Sequence, residues 1–329
     1  MENHTSYDVI IIGGGPAGAS FASYLKDDVK ALLLEKSTPT SPGKCCGGML
    51  SHTAQEVLRE QKITLPEDVI ISPQPFCVRA TDLETGRDRL FKRDYLNISR
   101  KGFNSYLISR IPSHVLVKEG ARMVSLKKEN GIFTVEYIFE GISFTATAPL
   151  VIGADGAISP TRNALTKKDV FKDYYYASLQ VTLNTPVNKF GAFFQRKFTD
   201  YYGWYVPKGN ETILGLAAPS HFKSNLKASL IKSKEILENK GIIEKSEGHS
   251  LEGAIIIRPT LRMKALPHYN GAVFLGEAGG FISPSSSEGI SYALRTGKKA
   301  SELYSKHSDS PKFFKEYEKY TRSLTREIR

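Results

Sequence analysis

The stretch from Tyr7 to Glu35 limits this chain's fold more than any other. The apolar run Val9 to Ile12 stops at Gly13, and Gly13, Gly15 and Gly18 keep the GxGxxG spacing that joins a buried parallel strand to a helix. The three glycines have separate tasks: a tight turn, close approach of backbone to a pyrophosphate, and close packing of helix on sheet. The diphosphate would sit at the positive N-terminus of the helix. A second apolar run, Ala31 to Leu34, ends in Glu35, 20 residues beyond Gly15, where a carboxylate can accept from ribose hydroxyls. Strand, helix, strand and acid in register predict an α/β fold with a dinucleotide site. The motif by itself does not distinguish NAD from FAD.

Further along, the pattern alternates between two textures. A loop rich in Ser, Pro, Gly and Thr, containing Lys44, Cys45, Cys46, Gly47, Gly48 and Met49, leads into a helix from His52 to Glu60. Short β runs (Phe76 to Ala80, Leu90 to Lys92) depart from the first domain, and a helix near Lys101 to Ile111 returns to it. Val115 to Val117 reads as a strand, Arg122 to Thr147 as an antiparallel meander with turns at Asn130-Gly131 and Gly141, and Leu150 to Ile152 as another buried strand. Alternating runs between Ala177 and Ala217 predict a second sheet, followed by a basic helix from Lys223 to Asn239. A strand at Ala272 to Leu275 and helices at Glu288 to Tyr304 and Lys312 to Arg326 close the chain.

Composition narrows the setting. No apolar run approaches the roughly 20 residues needed to span a bilayer. The first strand begins with no basic and apolar leader, and three cysteines, two of them adjacent, do not make a disulfide framework. The expectation is a cytoplasmic protein. The net charge of +11 is spread over lysines in ones and twos, without a basic arm. It admits a solvated surface or a peripheral contact with an anionic inner membrane face, to which the basic tail after Lys298 would contribute, and it gives little support to nucleic acid.

Two later motifs sit at strand ends. Gly153-Ala154-Asp155-Gly156, followed by Ser159 and Arg162, places an aspartate in a glycine turn, where it can hold a loop across a cofactor or merely make a turn. Gly276-Glu277-Ala278-Gly279-Gly280 ends a strand in an acid, and Gly289 with Ile290 open a helix whose amides could face an electron-rich ring. Tyr202 and Trp204 alternate along one strand and so share a face, as the wall of an apolar cavity or as ordinary core.

In this order the motifs resemble the FAD-dependent oxidoreductases of the geranylgeranyl reductase family, within the wider fold of the aromatic hydroxylases, and most of all members whose glycine loop reads KPCGG. The resemblance implies a Rossmann-like FAD-binding domain in three discontinuous segments (1–61, 99–165 and 265–310), an inserted antiparallel β-rich substrate domain (62–98 and 166–264), and a C-terminal helix (311–329). It puts the ADP part of FAD on Gly13, Gly15, Pro16, Ala17, Gly18, Glu35, Lys36 and the backbone at Met123. The rest of the cofactor would meet Cys46, Gly47, Met49, Arg100, Asp155, Gly156, Glu277, Gly289 and Ile290. Glu277 stands where most of the wider superfamily has Asp.

The resemblance places a cysteine followed by glycine near the flavin, and Cys46 matches it while Cys45 replaces a proline. A thiol there can donate a proton while reduced flavin delivers hydride, or it can pack, or form a vicinal disulfide. Tyr202 and Trp204 match the family's YxWxFP motif, with Val206 in place of its Phe. The implied reaction is reduction of carbon–carbon double bonds in an isoprenoid or other apolar substrate. NAD(P)H or another reductant would be a transient donor, because no second GxGxxG is present. An aromatic-hydroxylase type of monooxygenase and a non-catalytic redox sensor are the other readings the motifs allow.

Overall fold

The opening motif folds into strand Val9–Ile12, helix Pro16–Ser23 and strand Ala31–Glu35, with the two strands parallel. In the computed structural model, which describes residues 4–41 and 44–328, the chain divides into two compact units. The first unit is Met1–Pro42, Asn104–Tyr174 and Ile257–Arg329; the second is Gly43–Phe103 and Tyr175–Ile256.

The first unit is built on a sheet in the order His268–Tyr269, Ala272–Phe274, Leu150–Gly153, Val9–Ile12, Ala31–Glu35, Val115–Glu119. All its pairings are parallel except the short edge His268–Tyr269. Both faces are covered, which is why its strands read as unbroken apolar runs. On one face Val9, Ile11, Leu33 and Ile152 pack against Phe21 and against Leu303, Phe313 and Tyr317 of the last two helices. On the other, Ile10, Leu32 and Val151 pack against Phe133, Val135 and Ala146 of a smaller sheet formed by the 122–148 meander and His4–Ser6.

The second unit holds a seven-stranded sheet in the order Gly248–Ile257, Tyr175–Leu183, Glu211–Pro219, Gly203–Lys208, Phe190–Phe194, Cys77–Asp82, Asp88–Lys92. Helix Lys223–Asn239 covers one face, where Leu226, Leu230 and Leu237 meet Phe193, Tyr205, Leu214 and Leu216. The sheet is not purely antiparallel as expected, since Phe190–Phe194 runs parallel to Cys77–Asp82. These strands come from the two separate inserts, so no hairpin dictates their direction.

The boundaries also differ from the expected ones. Residues 44–61 belong to the second unit because Met49–Leu50 pairs with Leu96–Asn97 and because Gly47 and Gly48 lie against Val206 and Lys208. Residues 166–174 and 257–264 fall in the first unit, as does the C-terminal helix Pro311–Ile328, whose Tyr317 hydroxyl donates to Phe274 O at 3.1 Å. Among the described residues no helix is long and apolar enough to cross a membrane.

Candidate functional site

The candidate residues fall into one group in each unit. In the first, they gather at the C-terminal ends of the parallel strands, where open α/β sheets bind ligands. Gly13 has φ +104°, and a Cβ there would lie 2.5 Å from Ala154 O, so the first and second motifs touch backbone to backbone. At Gly18 a Cβ would lie 1.9 Å from Gly13 O, which presses the helix onto the strand end. Gly15 is different, because a Cβ on it would meet nothing within 4 Å. Gly15 is also the N-cap of helix Pro16–Ser23, and no side chain caps that helix. Two glycines are closed by packing and the third faces open space, the shape a pyrophosphate needs. These residues fit the ADP part of a dinucleotide.

Glu35 is fixed by the same loop. Its Oε2 accepts from Gly14 N–H at 2.6 Å and its Oε1 from Ser37 N–H at 2.8 Å, while its carbonyl accepts from Ala121 N–H at 2.9 Å. Lys36 beside it is exposed, and Pro16 opens the helix at the position where the N–H that proline lacks would have no intrahelical partner. Ala17 is buried with its carbonyl against Gly297, so packing between helix Pro16–Ser23 and helix Ile290–His307 occupies it. Met123 lies in strand Arg122–Glu129 and its Sδ accepts from Thr161 Oγ1 at 4.0 Å.

Asp155 spends both oxygens inside its own motif, accepting from Ser159 Oγ at 2.5 Å and from Thr161 N–H at 2.8 Å. Burial pushes its carboxyl upward against those hydrogen bonds. Gly156 has φ +79° and open space around it. Arg162 joins the second motif to the third. It is fully buried, donates to Ala157 O at 2.8 Å, Ile158 O at 3.1 Å and Ala278 O at 2.9 Å, and stacks 4.5 Å from the Phe171 ring. Glu277 Oε1 accepts from Ile257 N–H at 2.8 Å. Gly289 is the N-cap of helix Ile290–His307, but the first amides of that helix have a partner in the chain. The Glu288 carboxylate accepts from the amides of Ile290 and Ser291 and from Ser291 Oγ, and burial raises its carboxyl.

In the second unit, loop 44–50 crosses the face of strand Gly203–Lys208 opposite the helix. A Cβ on Gly47 would lie 3.2 Å from Val206 Cγ2 and 3.8 Å from Trp204 Cδ1. Cys45 and Cys46 are both free thiols in unlike surroundings. Cys45 points to Ser178 Oγ at 3.9 Å and Glu252 O at 3.7 Å, and burial pushes it up to about 12. Cys46 Sγ accepts from Gly48 N–H at 3.4 Å and hydrogen-bonds the Arg100 guanidinium, which burial lowers and Cys46 raises. Both contacts would stabilise negative charge left on the sulfur when its proton departs.

Beneath this turn lies Lys208, absent from the sequence reading. Its Nζ donates to Asn97 Oδ1 at 2.6 Å, Ile98 O at 2.8 Å and Gly48 O at 3.2 Å, and burial lowers it to about 8, with Cys46 opposing the fall. The period of two that put Tyr202 and Trp204 on one face also carries through Val206 to Lys208, so the signal was present. Tyr202 stands 6.1 Å from the Trp204 ring, edge to face, and 4.5 Å from Tyr201. Burial holds its phenol well above the usual range, which makes it a neutral wall rather than a base. Trp204 lies over Gly215 of the next strand.

Comparison with known proteins agrees with this geometry. Residues 6–202 match the family model of the FAD binding domain. Protein CbrA of Escherichia coli O139:H28 (strain E24377A / ETEC) is 31% identical over 293 residues, spanning 88% of this chain and 81% of that protein. Among solved structures, a geranylgeranyl bacteriochlorophyll reductase-like protein from Thermoplasma acidophilum is similar at TM-score 0.84 and 22% identity, covering 97% of this chain and 84% of that one. The flavin-dependent brominase Bmp2 is similar at TM-score 0.73 and 18% identity, covering 96% and 84%. One fold thus carries a reductase-like protein and a brominase.

Proposed function

The chain belongs to the FAD-binding domain family of flavoproteins, and we propose that it is an FAD-dependent reductase of carbon–carbon double bonds in an isoprenoid or other apolar substrate. The observation that carries this reading is the Cys46 turn, a thiol held by Gly48 N–H and the Arg100 guanidinium beside the aromatic face of Tyr202 and Trp204. Gly13, Gly15, Gly18 and Glu35 would hold the ADP part of FAD, with Arg162 and Asp155 fixing the loops around it. Once reduced, FAD supplies a hydride equivalent.

Adding hydride to one alkene carbon leaves an electron pair on its neighbour. In this reading the Cys46 Sγ–H gives its proton to that carbon, so a C–H bond forms as the S–H bond breaks. The sulfur keeps the bonding pair as thiolate, stabilised by Gly48 N–H and Arg100 until a proton from solvent restores the thiol. Tyr202, Trp204 and Val206 offer the substrate a water-excluding wall. Positioned general acids contribute factors of about 10²–10⁴. Cys46→Ala is therefore expected to purify with its flavin absorbance intact and to lose about a hundredfold in the rate at which substrate reoxidises reduced flavin. An unchanged rate would overturn the proton-donor role.

A further inference from the structure

Three neighbouring strands of the second unit place one residue each in a single row: Gln180 opposite Gly215, and Gly215 opposite Trp204. Residues in such a row project from one face, with neighbouring Cβ positions about 5 Å apart. Gly215 contributes no side chain, and its place is taken by the indole. A Cβ there would lie 2.3 Å from Trp204 Cε2 and 2.5 Å from Trp204 Nε1. The indole N–H edge therefore lies over the glycine, in the step between its own strand and Gln180.

Two buried polar atoms of this row have no hydrogen-bond partner among the described residues: Trp204 Nε1, a donor, and Gln180 Oε1, an acceptor. Gln180 is 5% exposed, and its Nε2 donates to Glu252 Oε2 at 3.0 Å. That contact settles the amide's orientation, because only the nitrogen end can donate to a carboxylate and the carbonyl oxygen is what remains. A buried donor and a buried acceptor, each left unpaired, are costly, and native structures rarely keep them without a reason. On the same face Ala192 stands opposite Trp204, and Ser178, two residues before Gln180, donates its hydroxyl to Ala254 O.

We propose that the row Gln180, Gly215 and Trp204 is a subsite for a neutral hydroxyl group, and that the substrate is an apolar alkenol rather than a hydrocarbon or a diphosphate ester. A hydroxyl oxygen accepts from Trp204 Nε1–H, and its hydrogen is donated to Gln180 Oε1. A hydrocarbon does neither. An ionised diphosphate has no hydrogen to offer Gln180 and would stand near the Glu252 carboxylate. This inference rests on reading the Trp204 face as the substrate wall.

Trp204 is the chain's only tryptophan, so its fluorescence reports on the subsite directly. The holoprotein is titrated with farnesol, with farnesene, and with farnesyl diphosphate, one polyene chain carrying a hydroxyl, no polar group, or an anion. Farnesol is expected to bind at least about tenfold more tightly than either of the others. Gln180→Leu, made together with Glu252→Leu so that no carboxylate loses its partner, is expected to reduce farnesol to the affinity of farnesene. Should that pair of changes prevent folding, Trp204→Phe, followed by calorimetry, is expected to narrow the same preference. Equal affinity for farnesol and farnesene, the result if a water molecule serves both atoms, overturns the inference and leaves the apolar wall standing. Tightest binding of the diphosphate, or an undiminished preference in the variants, also overturns it. Binding of none of the three overturns the wall and the subsite together.

Discussion

Cys46 draws its character from Lys208 as well as from Arg100, through a chain of contacts. Lys208 holds Gly48 O, and the N–H of the same residue is donated to Cys46 Sγ. The ammonium has three N–H donors for three acceptors, none of them a carboxylate. Burial brings it to about 8 from the 10.5 of a free lysine, so in that window the unfolded chain binds a proton the folded chain has released. Stability attributable to this site therefore rises with pH between the two values, and below the lower one the cost of burying the charge is borne in full. Urea unfolding at about pH 7.5 and about pH 9.5 should show the wild type gaining relative to Lys208→Met. A pH-independent difference between the two proteins would mean that Lys208 titrates as if exposed. A neutral amine has only two N–H groups, so one of the three carbonyl oxygens must lose its donor as the charge goes.

The glycine turn separates binding from folding more sharply than any other element. Gly15→Ala adds a methyl group to open space, so the protein should fold with little change in melting temperature and purify with depleted flavin. Gly18→Ala drives the same methyl group to within 1.9 Å of a carbonyl oxygen and should lower the melting temperature whether or not flavin is present. Melting curves with and without added FAD distinguish the two, and equal losses of stability would refute the assignment of Gly15 to the cofactor. This turn was legible in the sequence because each glycine serves local geometry at fixed spacing. Helix His52–Glu60 was legible to the residue, since Ser51 caps it by accepting from Ala54 N–H at 3.1 Å. Strand Gly248–Ile257 was not legible. It lies at a sheet edge with His249, Ser250 and Leu251 exposed, so neither face imprints an alternation on its residues. Glu288 was missed for another reason, because a carboxylate beside a helix start declares its partner only once the turn before it is folded.

At the level of the molecule, the expectation was two domains with interleaved segments, and the two compact units divide at other residues. Loop 44–50 follows the first domain's strand and helix in the chain, yet its contacts are with Trp204, Val206 and Lys208, about 160 residues later. Spacing along a chain cannot reveal such contacts. Arg100, Cys46 and Met49, expected in the FAD-binding domain, lie in the second unit, where Cys46 hydrogen-bonds the Arg100 guanidinium. One unit carries a dinucleotide cradle and the other a thiol beside an aromatic wall, and the proposed reduction of a carbon–carbon double bond would use both. The most direct test reduces the bound flavin without oxygen and then follows its absorbance as farnesol is added. The account predicts recovery of the oxidised spectrum, together with one equivalent of a product carrying two more hydrogens. A flavin that stays reduced with farnesol and other apolar alkenes, and reoxidises only when oxygen is admitted, would contradict it.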